Sequence, residues 1–356
     1  MALVASQYAP AANDYTQHGP YEWESQKTGM RMEPSTGCRG RQCSMTVTVT
    51  RPQLKPGEGY APDRKPPFPI VFFLNGFQMV STYYKDYVEL LTSWGYVTVQ
   101  YDLPAFVVPT DSAEVRYLQQ MLDWLEGQHN TIGTFVHGLI DMERMAVSGH
   151  SRGAKLAALH LAQNPKVKTA YLIDPVDSDK RFRKESVENP SAVRALATGS
   201  GWQVGIVGAE KVGSCNPVGA NYENFWAAVG NGSWLTVVSN SSHSQFLKAP
   251  PLAAAFFNFL CGTGGTSAKD VILATRPGLV AWMEGALYQP CPSGAASSNG
   301  GPSELRARSY LDAFFQWVQR MEMQAVLKFI VKEPAAPAVD AEDPQTAEHV
   351  NAGASI

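Results

Sequence analysis

Residues 145–162 read MAVSGHSRGAKLAALHLA, and this stretch decides which fold the chain can adopt. It starts as an apolar strand, turns at a Gly-x-Ser-x-Gly motif centred on Ser151, and continues with the periodicity of an amphipathic helix. Gly149 and Gly153 leave room for a tight turn, which would lift Ser151 above the carboxyl edge of a sheet. The following helix would point its N-terminal N–H groups and its dipole at that side chain. Ser151 is therefore a candidate nucleophile.

Short apolar segments recur on both sides of this turn and predict the other strands of a sheet. Segments with helical periodicity lie between them, at 84–94, 113–127, 152–163 and 221–228. Strands that alternate with helices indicate βαβ units. The sequence thus predicts an α/β-hydrolase fold, with a doubly wound, mostly parallel sheet and helices on both faces. The predicted strands are 44–51 (SMTVTVTR), 69–74 (PIVFFL), 96–101 (YVTVQY), 144–148 (RMAVS), 169–174 (TAYLID), 203–208 (QVGIVG) and 234–239 (WLTVVS).

The composition changes along the chain and suggests how it is divided. The polar stretch 175–201 lies between two predicted strands and reads as an irregular insertion, which can cover a binding site. Residues 291–303 are rich in Gly and Ser, as flexible linkers are. We predict a flexible arm (1–20), an α/β-hydrolase domain (21–290), a linker (291–303), a C-terminal helix (304–332) and a disordered tail (333–356).

Charge and cysteine content exclude several classes of protein. The formal net charge is −3, so the chain lacks the basic surface expected of a nucleic-acid-binding protein. No apolar run approaches the roughly 20 residues that span a bilayer, and the N-terminus does not read as a targeting segment. Five cysteines without Cys-x-x-Cys spacing predict neither a disulfide framework nor a metal site. We expect unpaired thiols, with a local pair of Cys38 and Cys43 as the alternative.

A serine nucleophile needs a base, and in this fold the order along the chain is serine, acid, histidine. Beyond the helix that follows Ser151, the chain has only two histidines. His349 lies in the acidic tail, whereas His243 directly follows the predicted strand 234–239. A loop at the carboxyl end of that strand shares its sheet edge with Ser151. His243 is therefore the predicted base.

Three carboxylates remain candidates for the acid that orients the histidine. Asp174 ends the strand that follows the nucleophile helix, Asp177 lies three residues further on, and Glu210 ends the next strand. Asp174 closes its strand directly and is followed by Pro175, which restricts its backbone. We favour Asp174 and keep Asp177 and Glu210 as alternatives.

An oxyanion hole is the remaining requirement for acyl transfer. The turn after Ser151 supplies the backbone N–H of Arg152. The second donor should come from the loop that follows an earlier strand, and the strand 69–74 ends in Asn75-Gly76-Phe77. Gly76 permits a sharp turn there, so the backbone N–H of Phe77 is the predicted second donor.

These residues resemble the chlorophyllase family of plants and green algae. Similar stretches are FPIVFFLNGFQMVSTYYKDYVELLTSWGYVTVQYD, SGHSRGAKLA, LIDPVDS and CNPVGANYENFW. The resemblance extends over about 21–288. Two positions depart from the family pattern, because Asn75 stands where the family usually has His and Ala154 replaces a second Gly.

The resemblance implies hydrolysis of the phytyl ester of chlorophyll to chlorophyllide and phytol. It implies Ser151, Asp174 and His243 as the catalytic triad, no cofactor or metal, and a location in the chloroplast. A chlorin ring and a phytyl tail require a large apolar cleft, which could be lined by Gly76, Phe77, Met79, Tyr83, Tyr84 and Phe106; ordinary core packing is the alternative for the large side chains.

Two other functions compete with this interpretation. A lipase, polyesterase or phospholipid-acetyl esterase would use the same triad. A catalytically inert binder of pigment or lipid would keep the fold without the reaction. For the helix 304–332, we expect packing on the domain rather than peripheral membrane contact, and the sequence leaves the oligomeric state open.

Overall fold

The computed structural model describes residues 13–54, 64–178, 184–199, 201–288 and 302–333. Their centre is one nine-stranded sheet with the order β1-β2-β4-β3-β5-β6-β7-β8-β9. The strands are β1 (Trp23–Arg31), β2 (Ser44–Pro52), β3 (Phe68–Leu74), β4 (Val97–Asp102), β5 (Ile140–His150), β6 (Val167–Ile173), β7 (Val204–Ala209), β8 (Trp234–Val238) and β9 (Leu327–Val331).

Six neighbouring strands, from β4 through β3, β5, β6 and β7 to β8, run parallel. The outer strands β1, β2 and β9 pair antiparallel. All seven residues of β3 are buried, as expected for a strand covered on both faces. Because the parallel strands share one direction, their carboxyl ends meet at one edge of the sheet, where such folds bind ligands.

Helices cover both faces of the sheet. The helices are α1 (Lys85–Ser93), α2 (Asp111–Asn130), α3 (Arg152–Gln163), α4 (Ala192–Ala197), α5 (Tyr222–Ala228), α6 (Pro251–Cys261), α7 (Ala268–Leu287) and α8 (Pro302–Met323). Side chains of α2, α3, α4 and α5 form one apolar core, and side chains of α1, α7 and α8 form the other. Alternate residues of β3 enter the two cores, with Phe72 in the first and Phe73 in the second. The predicted α/β-hydrolase fold is confirmed.

Three segments differ from the predictions made from the sequence. Strand β1 was not predicted, since WESQKTGMR is polar and lies at the sheet edge. The insertion 175–201 contains the short helix α4. The predicted helix 304–332 is wrong in its last part, because the helix ends at Met323 and β9 follows. LKFIV has a strand-like composition, and pairing with β8 decides its conformation.

Contacts with the domain order both ends of the described chain. Tyr15 lies in the predicted flexible arm, yet it is buried with its ring against Trp94. In α8, Phe314 and Val318 are buried, and the Phe314 ring stacks on Trp234 of β8. The helix therefore packs on the domain. Residues 1–12, 291–301 of the predicted linker and 334–356 of the predicted tail lie outside the described residues, whereas 302–303 already belong to α8.

The expectation of unpaired thiols is wrong for the four cysteines among the described residues. Cys38 pairs with Cys43, five residues away, and Cys215 pairs with Cys261, 46 residues away. The second pair joins the loop after β7 to the end of α6. A sparse set of cysteines does not predict such a pair, because only the fold brings these two positions to a Cα–Cα distance of 5.0 Å.

Candidate active site

Ser151 occupies a strained turn between β5 and α3. Its φ of 58° and ψ of −123° lie in a region of backbone conformation that residues other than glycine rarely adopt. The glycines on either side make the turn possible: a Cβ on Gly153 would lie 2.2 Å from the Leu74 carbonyl oxygen, and one on Gly149 would lie 2.6 Å from the same atom. The β5–α3 turn therefore packs directly on the end of β3, with Ser151 at the carboxyl edge of the sheet.

His243 approaches Ser151 from the loop after β8. It begins a 3-10 turn, His243–Phe246, and is buried. Its Nε2 lies 2.9 Å from Ser151 Oγ, and its Nδ1 lies 2.6 Å from Asp174 Oδ2. A carboxylate accepts only, so Nδ1 carries a proton and Nε2 is left to accept the Ser151 hydroxyl. This is the tautomer that a general base requires.

Asp174 is fully buried at the end of β6, and neutral donors hold its carboxylate. Oδ1 accepts the backbone N–H of Ala209 at 2.9 Å, and Oδ2 lies 3.3 Å from Asn216 Nδ2. Asn216 is itself fixed by the N–H of Gly213 and the carbonyl oxygen of Lys211. These bonds hold the carboxylate against the imidazole of His243.

The two alternative acids are engaged elsewhere. Asp177 accepts the hydroxyl of Ser191 and the N–H groups of Ala192 and Val193, so it fixes the start of α4. Glu210 accepts the backbone N–H of Asn240 at 2.8 Å. The geometry therefore favours Asp174.

His150, next to the candidate nucleophile, lies in a buried hydrogen-bonded chain. Its Nε2 donates to the carbonyl oxygen of His243 at 3.1 Å. Burial, followed by the nearby His243, holds the pKa of His150 well below its ordinary value, so Nδ1 is unprotonated. Nδ1 therefore accepts the Tyr84 hydroxyl at 2.9 Å, and Tyr84 Oη accepts the N–H of Gly76 at 3.1 Å. This chain ties the backbone of His243 to the turn after β3.

The predicted oxyanion turn lies at the end of β3. Asn75 Nδ2 donates to the carbonyl oxygen of Tyr101 at 2.8 Å and lies 3.1 Å from Asp102 Oδ1. Asp102 also accepts the backbone N–H and the hydroxyl of Ser81. The turn is thus bound to the end of β4 on one side and to Tyr84 on the other. The side chain of Phe77 is 47% exposed beside it.

The side chain of Arg152 turns away from Ser151. Its guanidinium lies within ion-pair distance of Asp111 and Glu114 on α2, at 2.8 and 2.6 Å. Lys155, one turn further along α3, pairs with Asp111 at 2.7 Å. These buried charges hold α3 against α2. Arg152 therefore offers only its backbone N–H, at the start of α3, to the site.

The predicted substrate-lining residues fall into different environments. Gly76 is buried, and Met79 and Tyr83 are half-buried. Tyr84 does not line a cleft, because it is fully buried and bonded to His150. Phe106 follows β4 and is 93% exposed, so its ring stands in solvent.

Two residues that position the others, Asn216 and Tyr84, were not predicted from the sequence. Asn216 supports Asp174, and its signal was present in CNPVGANYENFW, although nothing in that motif connects it to an acid 42 residues earlier. The hydroxyl of Tyr84 had no sequence signal, because tyrosine at a buried helix start reads as core. Both roles depend on distances between distant parts of the chain.

The sequence of the chain matches that of a known family. A sequence model of the chlorophyllase family matches residues 41–290, which is more than half of the chain. The chain belongs to the chlorophyllase family. The family agrees with the resemblance seen in the sequence.

Two relatives from Arabidopsis thaliana share this family with the chain. Chlorophyllase-2 is 25% identical over 201 residues, which cover 51% of this chain and 61% of that protein. Chlorophyllase-1 is 25% identical over 290 residues, which cover 75% and 77%. The first match thus spans less than two thirds of the relative.

A solved structure shares the fold. The ferulic acid esterase from Streptomyces cinnamoneus superimposes with a TM-score of 0.51, covering 83% of this chain and 97% of the esterase. Its sequence is 18% identical, so the likeness extends to the fold alone.

Proposed function

We propose that this chlorophyllase-family protein is a serine carboxylic ester hydrolase that cleaves the phytyl ester of chlorophyll into chlorophyllide and phytol. One observation carries the hydrolase part of the proposal. Asp174, His243 and Ser151 form a continuous hydrogen-bonded series with distances of 2.6 and 2.9 Å. The family match supports the substrate.

The first half-reaction follows from the atoms that this series positions. Ser151 Oγ attacks the ester carbonyl carbon while His243 Nε2 accepts the hydroxyl proton. The charge that develops on the carbonyl oxygen is stabilised by the backbone N–H groups of Arg152 and Phe77. His243 then returns the proton to the alkoxide of the leaving phytol. The chlorophyllide acyl group remains on Ser151.

The second half-reaction frees the acid. Water replaces the alcohol, and His243 takes its proton as the oxygen attacks the acyl carbon. Asp174 stabilises the charged imidazole each time it forms. The product carboxylic acid leaves, and Ser151 recovers its proton from His243.

The direct test is incubation of the purified protein with chlorophyll a, followed by phase partition of chlorophyllide from chlorophyll. We expect chlorophyllide from the wild type and none above background from Ser151→Ala, with unchanged thermal unfolding. Removal of a triad serine costs on the order of 10⁶-fold in kcat in another hydrolase. Labelling by a fluorophosphonate probe should likewise depend on Ser151.

Two outcomes would contradict the proposal in different ways. Turnover of p-nitrophenyl esters without chlorophyllide would refute the substrate and favour a lipase, polyesterase or phospholipid-acetyl esterase. A wild type that neither turns over esters nor reacts with the probe would refute the hydrolase and favour a binder of pigment or lipid.

We further propose that the protein acts in the chloroplast, from the family resemblance and from relatives that are plant proteins. A fluorescent fusion observed against chlorophyll autofluorescence would test this, and exclusion of the fusion from the organelle would contradict it.

A further inference from the structure

Helix α6 leaves large apolar side chains uncovered. Leu252 is 86% exposed, Phe256 57%, Phe259 85% and Leu260 45%. They recur at intervals of three, four and seven residues and form one stripe on the helix. We call this stripe, Leu252, Phe256, Phe259 and Leu260, the outer face of α6. Contiguous exposed apolar surface of this kind marks an interaction site.

The opposite side of α6 is attached to the domain. Phe257 packs on the core with its ring against Tyr83, and Cys261 is joined to Cys215. Asn258 Oδ1 accepts the hydroxyl of Ser244 at 2.9 Å. Apart from Asn258, the helix is therefore apolar on both sides. A helix that is apolar all round is usually buried among other apolar groups. Such groups cover only one side of α6.

The charges around α6 restrict what can cover it. No Asp, Glu, Lys or Arg occurs in 249–268. At one end of this stretch, Lys248 lies 3.6 Å from Asp86. At the other end, Lys269 is followed by Asp270. The residues that flank α6 in the sequence are thus balanced in charge, so they offer little attraction for an anionic or a cationic surface.

The outer face also lacks groups that recognise a protein partner. Its side chains carry no hydrogen-bond donor or acceptor, whereas protein interfaces combine apolar contact with about ten direct hydrogen bonds. A second copy of the chain would have to bury about 800 Å² on each partner. One face of an eleven-residue helix, roughly 16 Å long, offers less. Binding to a lipid interface grows with the apolar area that is buried, which these side chains supply without hydrogen-bond partners.

We propose that α6 is a membrane-docking helix, which inserts Leu252, Phe256, Phe259 and Leu260 into the interface of a bilayer whose head groups carry no net charge. The helix follows the turn that holds His243, and Ser242 Oγ donates to the Gly262 carbonyl oxygen at the end of α6. Docking would therefore bring the site edge of the sheet to the membrane. An ester dissolved in the lipid could then reach Ser151 without crossing water.

Sedimentation of the full-length protein with phosphatidylcholine vesicles tests this proposal. We expect the wild type to sediment with the vesicles, and binding to be unchanged between about 0.1 and 0.5 M salt because no net charge is involved. The double variant Phe256→Ser, Phe259→Ser should lose at least about tenfold in partition coefficient. Circular dichroism would check that the variant folds.

A matched control comes from Ile132, which is 86% exposed and precedes β5, at the opposite edge of the sheet. Ile132→Ser should bind vesicles like the wild type. Turnover of a soluble p-nitrophenyl ester should be equal in all three proteins, whereas turnover of an ester embedded in the vesicles should fall only in the double variant.

Several results would overturn the proposal. These are a wild type that does not sediment, a double variant that binds as well as the wild type, or binding that requires anionic lipid and falls with salt. Self-association that depends on Phe256 and Phe259, without vesicle binding, would instead assign the surface to a second copy. Vesicle binding is measured without turnover, so a failure of the proposed hydrolase would leave this test intact.

Discussion

Ser151, Asp174 and His243 come from three separate turns and lie in one hydrogen-bonded series, and neighbouring groups fix the orientation of the acid and the histidine. Asp174 accepts from Ala209 and Asn216, which fixes the oxygen that faces the imidazole. His243 is bonded at both ring nitrogens. His150 carries its proton on Nε2 and uses it on the backbone of His243. At this scale the site is preorganised, because its atoms need little movement before reaction.

The first prediction concerns Asp174. In Asp174→Asn, the amide can donate to His243 Nδ1, which would move the ring proton to Nε2 and prevent it from accepting the Ser151 hydroxyl. We expect kcat to fall by about 10⁴-fold, as for the corresponding change in another triad, with little change in KM. Steady-state kinetics on a p-nitrophenyl ester would measure this.

Glu210→Gln is the matched control for that experiment. Glu210 accepts from the backbone of Asn240 and makes no hydrogen bond to His243, so kcat should stay close to that of the wild type. A large loss in Glu210→Gln together with an active Asp174→Asn would show that the acid is assigned wrongly.

The turn between β5 and α3 requires a residue without a side chain at Gly153. Gly153 lies in the first turn of α3 and faces the end of β3, where the nearest atoms are the backbone oxygens of Leu74 and Asn75. Backbone atoms cannot rotate away as a side chain can. Any Cβ at this position must therefore separate α3 from the sheet.

A second prediction follows for this element. Gly153→Ala should lower the free energy of unfolding by about 1–3 kcal/mol or more, since overpacking at a rigid contact costs that much. Urea denaturation would measure the loss. Activity should fall as well, because the turn holds Ser151.

Gly127→Ala provides the control, because a Cβ there meets no atom within 4 Å and the residue lies inside α2. Alanine should be neutral or stabilise the protein by about 0.4–1 kcal/mol. A Gly153→Ala variant as stable as Gly127→Ala would contradict the packing argument.

For the molecule as a whole, buried histidines link stability to pH. His160 on α3 is 2% exposed, and burial lowers its pKa from 6.5 to about 3. In the unfolded chain, the His160 side chain binds a proton below its ordinary pKa of 6.5. In the folded protein, the same side chain stays neutral until about pH 3. The unfolded state therefore gains protons as the pH falls between these values, and the folded state becomes less stable.

The third prediction measures that link. Protonation of His160 should leave the free energy of unfolding unchanged above about pH 6.5. Below that pH, His160 alone should lower the free energy of unfolding by about 1.4 kcal/mol per pH unit. His150, whose pKa is also lowered by burial, adds to the same slope. In His160→Leu the slope below pH 6.5 should be smaller. An unchanged slope, measured by denaturation at several pH values, would contradict the burial argument.

Much of the molecule could be predicted because its signals are local. The strand, the turn and the helix around Ser151 lie within eighteen consecutive residues, and steric limits on the turn leave few alternatives. His243 followed by elimination from the order along the chain. The apolar segments predicted a sheet because a strand buried on both faces must be apolar throughout.

The pairing of strands and cysteines, and the hydrogen-bond partners of the site residues, could be identified only from the tertiary structure. Strand β9 forms because β8 offers an edge, the disulfide of Cys215 with Cys261 forms because two loops converge, and Asn216 supports Asp174 across 42 residues. The choice of Asp174 over Glu210 rests on which carboxylate reaches His243. The exposed face of α6 is also a tertiary property, since an apolar helix reads as core until its neighbours are known. The sequence by itself determined the turn at Ser151 and the buried strands, whereas only the fold decided which edge strands form and which distant groups meet, because those contacts depend on the packing of the whole chain.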